Sequence, residues 1–146
     1  MKRLIMLTAL LAAVALPSAA FSLDPLKISD HGTTCSVVTA SDGGQAVNCV
    51  GKLSGLGSAT TDIQVSAGFT CTNKAGNTVV GQSAGSSGPI KPQNGQVTFN
   101  VTTASTSTAK CTNADGHTAT FAPCATINVV QGGQVVFTEC VPIQQQ

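Results

Sequence analysis

Tryptophan and tyrosine are absent, and the aromatic residues are five phenylalanines. Planar platforms for stacking sugars or unpaired bases are therefore few. Arginine occurs once, at Arg3, so beyond the N-terminus no guanidinium fork is left for phosphate or carboxylate. Charge of either sign is scarce. After residue 20, Lys27, Lys52, Lys74, Lys91 and Lys110 stand against Asp24, Asp30, Asp42, Asp62, Asp115 and Glu139. No basic face for nucleic acid can be assembled from so few cations. Leucine is also rare there, with four, and no apolar period of 3.6 residues appears. That excludes a core built from helices.

One long apolar run exists, at the N-terminus. Lys2 and Arg3 precede an uncharged run over residues 4–16, and Pro17-Ser18-Ala19-Ala20 supplies small residues for cleavage after Ala20. This is the pattern of a secretory signal peptide over residues 1–20. The run is shorter than the roughly 20 apolar residues that span a bilayer. We therefore expect a single domain over residues 21–146, secreted to the extracellular space or periplasm, with no membrane span in the mature chain.

The remaining residues favour strands. Beyond residue 20 there are 18 threonines and 14 valines, and β-branched side chains suit a half-buried pleated surface. In TTDIQVSAGFTC, residues 60–71, Ile63, Val65, Ala67, Phe69 and Cys71 fall on one face, and Asp62, Gln64, Ser66, Gly68 and Thr70 on the other. GQVTFNVTT, residues 95–103, alternates in the same way through Val97, Phe99 and Val101. Such alternation marks a sheet with one face on the core. The expected fold is all-β, an antiparallel immunoglobulin-like β-sandwich of about seven strands.

Turn chemistry sets two hairpin registers. In CSVVTASDGGQAVNC, residues 35–49, a loop Ser41-Asp42-Gly43 places Gly where a positive φ is needed. Val37 then faces Val47, and Cys35 faces Cys49. In TINVVQGGQVVFT, residues 126–138, a loop Gln131-Gly132-Gly133 sets Val129 against Val135 and Ile127 against Phe137. Extended outward, that register sets Cys124 against Cys140. Directly opposed strand residues approach the Cα separation a disulfide accepts. The expected bridges are Cys35–Cys49 and Cys124–Cys140, with Cys71–Cys111 by elimination. Six cysteines allow 15 connectivities, and an exported chain meets the oxidising conditions in which such bonds persist.

An eight-residue phrase occurs twice: CTNKAGNT at 71–78 and CTNADGHT at 111–118. Asn-x-x-Gly is turn chemistry, so the two copies read as similar turns stapled through Cys71 and Cys111. Residues 51–58, 81–95 and 102–110, rich in Gly, Ser, Thr or Pro, read as loops or edge segments, with a turn at Gln93-Asn94-Gly95. Gln144 to Gln146 read as a frayed end.

Candidate chemistry is thin. Gly81-Gln82-Ser83-Ala84-Gly85 matches G-x-S-x-G, but the nucleophile elbow needs a helix directly after it, and Ser86-Ser87-Gly88-Pro89 does not start one. It reads as a glycine-rich loop. Asp115-Gly116-His117 and Asp30-His31 pair a carboxylate with an imidazole, yet sequence places no third group, and both read as surface turns. Asn113-x-Asp115-Gly116 has a fragment of a calcium loop without its closing acid. No metal or cofactor is expected. Asn100-Val101-Thr102 is a glycosylation sequon on an outward face.

The phrase Cys71-Thr72-Asn73 with Gly76-Asn77, the later Gly81-Gln82, the NGQVTF strand at 94–99 and the GGQVVF hairpin at 132–137 together resemble small exported bacterial β-proteins of unassigned activity. The resemblance covers residues 44–140 and implies an exported β-sandwich. A looser likeness is to the neocarzinostatin-type apoproteins, small exported Val/Thr/Gly-rich sandwiches with disulfides inside hairpins, and it implies an apolar ligand cleft. Three functions follow as expectations. The first is a non-catalytic module whose loops bind an unknown extracellular surface or macromolecule. The second is a carrier of a small apolar ligand over Phe69, Phe99 or Phe137. The third is a hydrolase using His117 with Asp115 or Ser83.

Overall fold

The computed structural model describes residues 27–113 and 116–145. The expected signal peptide and Asp115 lie outside the described residues. Among the described residues nine strands follow one another: β1 (Ser29–Asp30), β2 (Thr34–Thr39), β3 (Gln45–Ser54), β4 (Thr61–Thr72), β5 (Thr78–Ile90), β6 (Val97–Thr102), β7 (Thr118–Phe121), β8 (Cys124–Gln131) and β9 (Gln134–Gln144). A 3₁₀ turn, Thr106–Ala109, sits between β6 and β7. The all-β class is as composition and alternation imply.

The nine strands occupy seven lanes. β3 carries β6 on one side, and on the other β2 with β1 continuing its line. β4 carries β5 on one side, and on the other β8 with β7 continuing its line. β9 joins the two halves. Its first part pairs with β8, and Ile143 and Gln144 cross over to Cys35 and Ser36 of β2. That last pairing is parallel, so the sheet is mixed and not purely antiparallel as expected. The line of β7 and β8 breaks at Ala122 and Pro123, where proline has no amide for the ladder and Ala122 N–H bonds Gly68 O at 2.8 Å.

Inward residues from both halves form one core. Val37, Val47, Leu53, Phe99 and Val101 from the β3 half meet Ile63, Val65, Phe69, Ile127 and Val129 from the β4 half. Val47, Ile63 and Val129 are fully buried, and each such side chain contributes about 1.5–3 kcal/mol relative to exposure. Small residues let the halves close. A Cβ at Gly81 would strike the Phe69 ring, and one at Gly85 would fall on the Thr102 carbonyl. Residues 81–90, in a segment expected as irregular or edge, are an edge strand: Gly, Ser and Ala are what the close approach of residues 102–104 permits.

The first hairpin closes on the expected loop. Cys35 faces Cys49 and Val37 faces Val47, Ala40 N–H bonds Gly44 O, and Gly43 takes φ 81°. The second hairpin differs. Its loop is the two residues Gly132 and Gly133, both with positive φ (58° and 77°), and Gln131 faces Gln134. Two consecutive glycines satisfy a type I′ turn, whose twist matches the flanking strands. A bulge next to Val129 and Val130 then sets Val129 against Phe137 and Ile127 against Glu139. Cys124 faces Pro142, and Cys140 faces Thr126. The expected opposition of Cys124 and Cys140 is thus replaced by a diagonal relation, and the bridge spans it at a Cα separation of 5.6 Å.

Candidate functional site

The sequence candidates are used as structure. Ser83 lies on β5, almost wholly buried, and its hydroxyl donates to Ala104 O. The G-x-S-x-G segment lies wholly within strand β5, not at the strand-to-helix turn a nucleophile elbow needs. His117 donates from Nδ1 to Lys110 O at 2.8 Å, which fixes its ring in the second CTN corner. Ser83 shares a rung with Ala67, and Thr118 shares one with Thr72. Five residues of β4 separate those rungs, about 17 Å at the strand rise. Ser83 and His117 therefore do not form a catalytic pair, which needs contacts near 3 Å. Asp30 accepts from Thr33 N–H and Thr33 Oγ1, closing the step from β1 to β2, while His31 Nε2 shares a hydrogen bond of 2.7 Å with Ser54 Oγ.

The bridges join Cys35 to Cys49, Cys71 to Cys111 and Cys124 to Cys140, leaving no free thiol. Cys71–Cys111 staples the two CTN turns. In each, the glycine N–H bonds the asparagine carbonyl at 3.0 Å, Gly76 to Asn73 and Gly116 to Asn113. Both glycines have positive φ, and Gly116 lies against the Lys74 side chain. Each phrase ends on a threonine that pairs with Thr72, Thr78 from β5 and Thr118 from β7. The repetition thus places two flanking strands on one rung of β4.

The segments at 51–58 and 102–110, expected as loops or edge segments, are largely docked. Ser105 caps the 3₁₀ turn. Thr103 Oγ1 accepts from Val47 N–H at 3.0 Å. Thr106 Oγ1 accepts from Gln45 N–H at 3.0 Å and donates to Cys111 O at 2.7 Å. These hydroxyls continue the ladder of β6 along β3 where the backbone leaves it. At the hairpin tip Asp42 accepts from Ser105 Oγ, Ser107 Oγ and Gly44 N–H. These bonds, that from Ser107 foremost, hold its carboxyl below the usual range. Leu56, in the glycine-rich 51–58 segment, is buried, and its carbonyl accepts from Gln131 Nε2 at 2.8 Å. The role of Gln131 as a half-buried anchor has no sequence signal beyond its place beside Gly132.

The open surface is the outward face of β8, β4 and β5. Gln64, Ser66, Gln82, Ala84, Ser86 and Asn128 line a groove of about 450 Å³ there. At its edge Asp62 accepts from Ser86 Oγ at 2.6 Å and from Gln64 Nε2 at 3.0 Å. Partial burial opposes ionisation of Asp62, but these bonds and that of Ser87 outweigh it and hold the carboxyl below the usual range. Smaller clefts lie beside Lys91 and beside His117, about 340 and 250 Å³. Phe69 and Phe99 are core residues, Phe69 tilted against Phe121 at 5.8 Å. No phenylalanine lines these three clefts. Asn100 lies exposed on β6, its Oδ1 accepting from Asn48 Nδ2. Among the described residues no three His, Cys, Asp or Glu side chains gather as a metal set, and no helix is long and apolar enough to cross a membrane.

No family model, curated protein or solved structure matches the chain.

Proposed function

We propose that the protein is an exported, non-catalytic module with an immunoglobulin-like sandwich architecture, binding an uncharged, hydroxyl-rich macromolecular surface outside the cell. One observation carries this reading: the outward face of β8, β4 and β5 is an open bed of amides and hydroxyls, while the reactive-looking side chains of Ser83, His117 and Asp30 are committed to backbone partners. Gln64, Gln82 and Asn128 each offer both a donor and an acceptor, which suits a neutral polyol such as a polysaccharide and leaves a phosphate or carboxylate without a counter-charge. Three disulfides and the N-terminal signal pattern support an oxidising, exported setting.

Pull-down on insoluble neutral polysaccharides, with anionic polymers as comparators, tests the proposal. Retention on a neutral polymer should survive high salt and weaken in the variant Gln64→Ala with Asn128→Ala. Absence of retention on any neutral polymer, or retention that salt abolishes, would overturn it.

A further inference from the structure

The outer edge of β5 carries its own message. Asn73 N–H bonds Asn77 O across the turn, Gly68 O turns away from β5 to accept from Ala122 N–H, and Ala84 O turns away from β4 to accept from Ala104 N–H. These three bonds fix the alternation of the β4–β5 ladder. By that alternation the N–H and C=O groups of Thr78, Val80 and Gln82 all point away from β4. Ala104 caps the edge at Ala84, but between Thr78 and Gln82 no described residue bonds it. Beside these open groups stand Val79 and Val80, 62% and 81% exposed, the most exposed large apolar side chains among the described residues. Natural edges are blunted by lysine, proline or a bulge, and residues 78–82 have none of them.

We propose that this edge pairs with the same edge of a second copy of the chain, antiparallel, about a two-fold axis at Val80. The register is self-complementary. Val80 meets Val80, and Thr78 meets Gln82 of the second copy, each pair exchanging both backbone bonds. Val79 falls across from Gly81 of the second copy, where the missing side chain leaves room. From Thr78 to Ile90 the strand carries no charge, so a two-fold axis opposes no like charges, a condition that isologous contacts must meet. The antiparallel sense also turns the Lys74 end of each β5 toward the Asp62 end of the other. The outward polar faces of two sheets would then run on as one. The pairing does not depend on what that face binds.

Sedimentation velocity over a rising concentration series tests this. The wild-type chain should double its apparent mass, and the Thr78, Val80 and Gln82 amides should slow in hydrogen exchange over the same range. Val80→Lys, which sets two charges together on the axis, and Val80→Pro, which removes an outward-facing amide, should both stay monomeric while keeping the thermal transition of the dilute, monomeric wild-type chain. Val135→Lys, on the exposed β8–β9 hairpin, should leave the dimer intact. A wild-type chain that stays monomeric, including one that binds only a foreign peptide, would overturn the proposal. So would a dimer that survives both Val80 variants, loss of the dimer in Val135→Lys, or open-ended growth.

Discussion

Thr106 has no exposed surface, yet it is polar. Its hydroxyl is tolerated because it bonds on both sides, accepting from Gln45 N–H and donating to Cys111 O. Thr106→Val keeps the shape and strands both backbone groups. Unsatisfied buried groups cost about 1–3 kcal/mol each, so the urea midpoint should fall at unchanged m-value. Titration separates the carboxylates by sign. Asp42 and Asp62 are held below their ordinary value of 3.8. Their contribution is present above that pH and is lost as acidification passes through the lowered folded-state values. Glu139, half-buried on the inward side of β9, is raised above 4.5 by burial and by the nearby negative charge of Asp30. Its folded state keeps the proton longer than the unfolded chain, so it subtracts stability as pH rises from 4.5 through the raised value. Glu139→Gln should therefore raise the urea midpoint above that window and leave it unchanged well below. Asp42→Asn should lower it at neutral pH and converge with wild type in acid.

Elements show where sequence reasoning reached and where it stopped. β4 was legible because every second residue from Ile63 to Cys71 is apolar, and one slipped register would expose all of them. The first hairpin was legible because the loop Ser41-Asp42-Gly43 sets both Cys35 against Cys49 and Val37 against Val47. The second was not, because Gly132 and Gly133 allow either a two- or a three-residue loop, and the bulge next to Val130 depends on how β9 must bend to reach β2. Residues 81–90 of β5 read only as an irregular or edge segment because their glycines and serines carry no strand signal. Their reason is the backbone of residues 102–104 beneath them, a contact no local window contains. The polar alternation of Asp62, Gln64 and Ser66 was visible, but the placement of Asn128 beside Gln64 required the lane order. The same contact yields a prediction. Gly85→Ala puts a Cβ on the Thr102 carbonyl, and backbone must move. Overpacking of that kind costs about 1–3 kcal/mol, visible as a lowered thermal midpoint. Ala84→Ser, one residue away on the open face, should leave it unchanged.

At the scale of the whole molecule, the three bridges divide by what they join and by who can reach them. Cys35–Cys49 and Cys124–Cys140 each lie within a hairpin, at sequence separations of 14 and 16. Cys71–Cys111 closes 40 residues, tying β4 to the segment that docks on β3. Chain entropy assigns about 3 kcal/mol to the short loops and about 4 kcal/mol to the long one. Together these approach the whole net stability of a small domain, about 5–15 kcal/mol, in a core whose largest side chains are a few Phe, Leu and Ile. Access runs the other way. Both sulfurs of Cys35–Cys49 are fully buried and those of Cys71–Cys111 nearly so, while Cys140 is exposed and Cys124 half-buried on the outward face. Exchange needs a thiolate to reach a sulfur, so a limiting reductant on the folded protein should open Cys124–Cys140 first. Alkylation and mass mapping should find labels at those two positions while the fold persists. Full reduction should follow as one cooperative loss, since opening Cys71–Cys111 uncouples the two halves of the core. Labels appearing first at Cys35 or Cys49 would mean that the β2–β3 hairpin opens before the outward face is attacked, and that the shielding order drawn from burial is wrong.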